Sequence, residues 1–186
     1  MCKKTGFTLL EILVAIAVLG VLATVVVPNL WPARPRADRD AFITRLGSLV
    51  KFSWQNAIVT GKIHKVHFNF AKKEVSLFLA SGKKDKSGKA TFVPVKRSYI
   101  KTSIKILEQL EVKNFYVEGF DEMGRFETGR KTEEVWFFVI PEGLVQSVII
   151  NLLDKKDKVA GRSRNVSLVL NPFSAQFEVY DTFKKP

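Results

Sequence analysis

The chain has 186 residues, of which 46% are hydrophobic and 26% charged, with 15 Phe and only 7 Pro. That length suits one core plus an appendage, and that composition excludes a mainly disordered or collagen-like chain. The formal net charge of +12 favours anionic partners such as nucleic acid, phospholipid headgroups or acidic proteins, but a solvated Lys-rich surface is the commoner source of such an excess, and charge says nothing about fold.

From Phe7 to Val27 the chain is almost wholly apolar, interrupted only by Thr8, Glu11, Gly20 and Thr24. As a helix this run spans roughly 31 Å, against about 30 Å for the hydrocarbon core of a bilayer. A secretory signal peptide fits poorly, because its apolar core is about 7 to 15 residues and ends at a small-residue cleavage site. Cys2, the single cysteine, has no apolar core before it and is no lipoprotein acceptor; without it the chain holds no disulfide.

Glu11 sits a little over one turn into the apolar run. A charged side chain costs about 2.5 to 3.5 kcal/mol at the centre of a membrane helix and less near its end. By position alone two readings stay open, a functional carboxylate and one that reaches for nearby headgroups.

The order Lys3-Lys4-Thr5-Gly6-Phe7-Thr8-Leu9-Leu10-Glu11 closely resembles the processing signal of type IV pilins and pseudopilins. Its elements are a short basic leader, a Gly, a following Phe and a Glu at the fifth position counted from that Phe. The resemblance implies that a prepilin peptidase cuts between Gly6 and Phe7 and methylates the new amine of Phe7. It also implies that Glu11 meets that ammonium on a neighbouring subunit during filament assembly. An ammonium and a carboxylate at the edge of hydrocarbon are each costly alone and offset one another when paired across two helices. Pro28 falls where the family carries a helix-loosening proline.

Orientation does not follow from charge, since Lys3 and Lys4 lie on one side of the run and Arg34, Arg36 and Arg39 on the other. The resemblance supplies it instead: a cytoplasmic leader, a single pass through the inner membrane and a periplasmic C-terminal domain. The expected organisation is a leader over 1–6, a transmembrane helix over 7–28, a Pro-rich elbow over 29–37 and an α+β domain over 38–186.

Within that domain, Asp38 or Asp40 is expected to cap a helix whose stripe is Phe42, Leu46, Leu49, Val50, Ala57 and Ile58, ending at Gly61. Alternation then predicts a hairpin of Val66, Phe68 and Phe70 with Val75, Leu77 and Leu79 across Ala71-Lys72-Lys73. Lys83 to Lys89 reads as a basic loop. Val112 to Val117, Glu134 to Ile140, Leu144 to Leu153, Val166 to Leu170 and Gln176 to Tyr180 read as strands, with a turn at Pro141-Glu142-Gly143 and a polar loop over Asp154 to Asn165. An amphipathic helix followed by strands gives a helix packed on antiparallel sheet. Ser53 to Gly61 and the passage Val139 to Val145 resemble the H-type minor pseudopilins of type II secretion and their type IV pilus relatives. Gly82 to Glu133 has no counterpart there, and Ala175 stands where a turn Gly is common.

No catalytic, cofactor or metal site emerges. His64 and His67 fall on opposite faces of a strand. Gly82 to Ala90 has the wrong spacing for a phosphate-binding loop and lacks its Ser or Thr. Glu133-Glu134 and Asp121-Glu122 diverge on a strand, so paired acid-base chemistry has no support, and the chain does not read as an enzyme. The leading expectation is a minor pseudopilin that supports filament initiation and protein export, with a prepilin peptidase, other pilin-like subunits and inner-membrane lipid as partners. The alternative is a minor pilin of a type IV pilus or DNA-uptake machine. Its anion or DNA contacts would be Lys83, Lys84, Lys86 and Lys89 in one loop, with Arg162, Arg164, Lys184 and Lys185 near the last strands.

Overall fold

A computed structural model describes residues 9–30, 33–96, 101–124, 132–159 and 161–186. The chain forms two compact units, Met1–Asp38 and Arg39–Pro186. In the first, α1 runs over Leu9–Leu30, so the apolar stretch is helical as its composition predicts.

The second helix, α2, spans Ala33–Thr60. It starts before the expected caps Asp38 and Asp40, which lie inside it, and takes up part of the expected elbow. The reason is that a proline in the first turn of a helix, here Pro35, gives up an N–H that has no intrahelical partner anyway. From Arg39 onward the helix buries Arg39, Phe42, Leu46, Leu49, Val50, Ser53 and Ala57, a stripe at three- and four-residue spacing. Ile58 departs from expectation and is half-exposed beside the turn at Gly143. Gly61 ends the helix at φ +63°, its amide donating to the Ala57 carbonyl at 2.9 Å.

Eleven strands follow among the described residues: β1 His64–Asn69, β2 Glu74–Lys84, β3 Ala90–Pro94, β4 Ser103–Lys105, β5 Leu110–Val117, β6 Phe120–Asp121, β7 Glu134–Ile140, β8 Leu144–Val145, β9 Val148–Val159, β10 Arg162–Asn171 and β11 Gln176–Tyr180. They build two antiparallel sheets. The first has the order β3-β2-β1-β7-β8 with β4 also on β2, and the second β11-β10-β9-β5-β6. The predicted β1–β2 hairpin forms, with Val66 opposite Leu77 and Phe68 opposite Val75. Phe68 of the first sheet meets Phe115 of the second edge to face, at 4.9 Å between ring centroids, and Phe137 packs 6.3 Å from Phe68. The core of the second unit thus lies where the two sheets and the buried stripe of α2 meet.

Three strand boundaries differ from the sequence reading. The run Leu144 to Leu153 is two strands in different sheets, broken at Gln146 and Ser147. Gln146 still donates its N–H to the Phe138 carbonyl at 3.1 Å, but its side-chain Oε1, and not its own carbonyl, accepts the Phe138 N–H, at 2.7 Å, which ends the ladder of the first sheet there. Ser147 accepts the Glu118 N–H through its carbonyl at 2.9 Å and donates its own N–H to Glu118 Oε1 at 2.9 Å, which joins it to the second sheet. The expected polar loop over Asp154 to Asn165 is instead the far half of the β9–β10 hairpin. Backbone ladders form as readily between polar residues, and Lys155, Lys156, Lys158 and Arg162 keep their side chains in solvent. Lys83 to Lys89 is likewise a hairpin end rather than a loop, because β2 continues to Lys84. The short strands β4 and β6 had no legible pattern.

Candidate functional site

Gly6 and Phe7 lie outside the described residues. Glu11 lies on α1, two residues after the first described residue, Leu9, and it is exposed. Around it every side chain from Leu9 to Thr24 is exposed, including Leu9 at 82%, Leu10 at 71% and Leu19 at 64%. The hydroxyl of Thr24 turns back to the Val21 carbonyl at 2.7 Å, so even this polar group is satisfied within the helix. A helix apolar on all sides is the kind that is buried in a core or in a bilayer. Among the described side chains, which in α1 run from Leu9 to Thr24, no helical stretch is long and apolar enough to cross a membrane.

The eight basic residues singled out from sequence do not form one surface feature. Lys83, Lys84, Lys86 and Lys89 are all exposed at the end of the β2–β3 hairpin. Asp85, between them, is occupied by its own turn: its Oδ1 accepts the N–H groups of Ser87 at 2.8 Å and Lys89 at 2.9 Å. Those amides are therefore not offered to a phosphate, in keeping with rejection of a phosphate-binding loop. In the second sheet, Arg164 is engaged bidentately by Asp181, at 3.1 and 2.8 Å, and faces Asp157 at 3.6 Å. Lys184 lies 4.4 Å over the Tyr180 ring. Arg162 and Lys185 are exposed. Of the two clusters, the hairpin presents its charge more openly.

His64 and His67 do fall on opposite faces of β1. His64 is fully buried, its Nδ1 facing the Lys62 carbonyl at 2.9 Å and its Nε2 facing Asn56 Nδ2 of α2 at 2.8 Å. A ring that donates from Nδ1 to that carbonyl and accepts at Nε2 from the Asn56 amide is neutral. Burial holds its pKa below the ordinary 6.5, opposed by the bond to Lys62. Asp121 is structural: it accepts from Asn114 Nδ2 at 2.7 Å and from the amides of Phe115 and Met123.

Sequence reasoning missed the buried ion pairs at Arg39. Its Nη1 lies 2.5 Å from Asp157 and 3.4 Å from Asp154, a fully buried carboxylate, and Asp40 approaches Nη2 at 3.1 Å. Burial acts against its charge, but the bonds to Asp157 and Asp40 outweigh this and hold the pKa above its ordinary value. The available signal was positional: Arg39 precedes Phe42 by three residues and Leu46 by seven, on the buried stripe. Equally unforeseen, Asn151 is buried on the outer side of the second sheet. Its Oδ1 accepts from Ser167 Oγ at 2.7 Å and Lys184 N at 3.2 Å, and its Nδ2 donates to the Lys184 carbonyl at 2.9 Å.

Residues 1–27 match the family described as the prokaryotic N-terminal methylation motif. The chain carries a type IV pilin-like N-terminus. It is similar to the type II secretion system core protein G of Klebsiella pneumoniae, with 51% identity over 49 residues, 26% of this chain and 35% of that protein. It is also similar to the type IV wide pilus major component PilA4 of Thermus thermophilus, with 44% identity over 52 residues, 28% of this chain and 40% of that one. The matched stretch spans about a third of the length of these curated relatives. Among solved structures, the minor pseudopilin EpsH from the type 2 secretion system of Vibrio cholerae aligns with a TM-score of 0.48 and 12% identity, over 78% of this chain and 95% of that one.

Proposed function

We propose that this chain is a minor pseudopilin of a type II secretion pseudopilus, processed between Gly6 and Phe7, methylated on Phe7 and anchored in the inner membrane by residues 7–28. Its domain would lie in the periplasm and support filament initiation and protein export, with other pseudopilins as neighbours. The observation that carries this reading is the methylation motif over residues 1–27, which takes in most of a helix whose apolar side chains are exposed on all sides. Such a helix is stable only where other apolar groups cover it, and packing among other subunits' helices or lipid supplies that cover.

The test is coexpression with a prepilin peptidase followed by intact-mass measurement. Loss of the first six residues, leaving Phe7 at the new N-terminus with one added methyl group, is the expected result. A Gly6→Ala precursor is expected to be cut poorly, because the peptidase cleft accommodates backbone without a side chain there. Efficient cutting at another bond would remove the main support. A type IV pilus or DNA-uptake role is the second reading, favoured by the open lysines of the β2–β3 hairpin.

A further inference from the structure

The first sheet buries one face in the core and turns the other outward, and that outer face is aromatic. Lys65 and His67 of β1, Phe78 of β2, Phe92 of β3, and Trp136 and Phe138 of β7 all stand on it, alternating with core residues such as Val66, Leu77 and Phe137. Register places Lys65 between Phe78 and Phe138, and His67 opposite Trp136. Phe92 stacks on Phe138 with centroids 5.7 Å apart and planes 26° apart. The Lys65 ammonium lies 4.5 Å from the centroid of Trp136, 5.5 Å from that of Phe92 and 5.8 Å from that of Phe78. Trp136 is nonetheless 44% exposed, so a flat ring remains available beside a held cation.

Charge is graded along this face. Glu74 and Glu134 share one end, both opposite Asn69, and each already accepts a hydrogen bond, Glu134 from Asn69 at 2.8 Å and Glu74 from Ser103, while His67 Nε2 lies 3.2 Å from Glu134. Toward the other end β2 and β3 run out into the hairpin that carries Lys83, Lys84, Lys86 and Lys89, whose one acid, Asp85, is consumed by its turn. A ligand that complements this track needs flat apolar rings and regularly spaced negative charges together. Lipid headgroups lack the rings, and a duplex keeps its bases stacked on each other.

We infer that the outer face of the first sheet binds single-stranded nucleic acid, with a base stacked on Trp136 and phosphates held by Lys65 and the hairpin lysines. Aromatic rings on a sheet and a basic groove beside them are the two parts that single-strand binders combine. The inference does not depend on whether the chain joins a filament.

The test uses the full chain purified in a non-ionic detergent and fluorescence anisotropy of a labelled oligothymidylate of about 16 nucleotides. Binding that weakens with salt is expected, and a duplex of equal length should bind at least several-fold more weakly. Trp136→Ala should weaken single-strand binding about tenfold, whereas Trp136→Phe, which keeps a ring, should retain most of it. Replacing Lys84 and Lys86 by Gln should flatten the dependence of log Kd on log salt by about 1.4, the value for two phosphate contacts on a single strand. Trp136 is half-exposed, and equal melting temperatures of the variants confirm that folding is intact. No binding at low salt, equal affinity for duplex and single strand, or an unchanged Kd for Trp136→Ala would each overturn the inference. So would quenching of the Trp136 fluorescence, taken as the difference between the parent chain and Trp136→Phe, by brominated phosphatidylglycerol in vesicles that hold the full chain, undiminished by the oligonucleotide, which would mark the face as a membrane contact.

Discussion

Arg39 of α2 and Asp154 of β9, 115 residues apart in sequence, meet at 3.4 Å with the carboxylate fully buried. Asp154 also accepts the amides of Lys156 and Asp157 through its other oxygen, both at 3.1 Å, so it holds the strand's local bend and the helix at once. Removing Arg39 leaves a buried carboxylate unmatched. Arg39→Ala is therefore expected to cost about 3 to 5 kcal/mol of stability, whereas Arg39→Met with Asp154→Asn should cost less than the two single changes summed. Guanidinium unfolding of the full chain in detergent, followed by tryptophan fluorescence, measures both. Full additivity would show the pair to be uncoupled.

His64 makes stability depend on pH with a defined sign. Its folded pKa lies below 6.5, so the unfolded chain takes up the proton first as pH falls. The stabilisation by neutral His64 is complete above 6.5 and is lost as pH drops from there through the folded value, at no more than about 1.4 kcal/mol per pH unit. Unfolding midpoints between pH 8 and pH 5 should fall more steeply for the parent chain than for His64→Gln. Parallel curves would remove His64 as the source.

Glu11 separates two readings of the N-terminus. If it only reaches headgroups, Glu11→Gln leaves function intact, since a neutral amide is easier to bury. If it pairs with the Phe7 ammonium of a neighbour, the variant should be cleaved normally yet fail to assemble. Breaking such a pair costs about 3 to 5 kcal/mol, a more than hundredfold loss in association. Secretion or piliation by a cleaved Glu11→Gln subunit, in a strain lacking the original, decides between them.

Asn151 ties residue 184 across the second sheet. Asn151→Leu removes both bonds to the Lys184 backbone and strands the buried Ser167 hydroxyl, at about 1 to 3 kcal/mol. Hydrogen exchange at Lys184 should accelerate in the variant while that of Phe68 in β1 falls only with global stability. Equal protection at Lys184 in both proteins would show that other contacts hold this segment.

Local pattern was enough for much of the fold. The helix Leu9–Leu30, the stripe from Phe42 to Ala57, the stop at Gly61, the β1–β2 hairpin, β7 and β11 follow from periods of 3.6 and 2 and from glycine geometry, all properties of neighbouring residues. The N-terminal motif was equally local, because a peptidase reads a linear segment. Tertiary structure decided what depends on distant partners. Leu144 to Leu153 looks like one strand, yet it divides because Gln146 bonds Phe138 of β7 in the first sheet while Ser147 bonds Glu118, in the turn between β5 and β6 of the second. Asp154 to Asn165 reads as loop because polar composition is silent about a ladder whose bonds are all backbone. Arg164 and Lys65 were indistinguishable from any surface cation in sequence. Folding gave one to Asp181 and surrounded the other with aromatic rings, since charge partners are set by which side chains the sheets bring within a few ångströms.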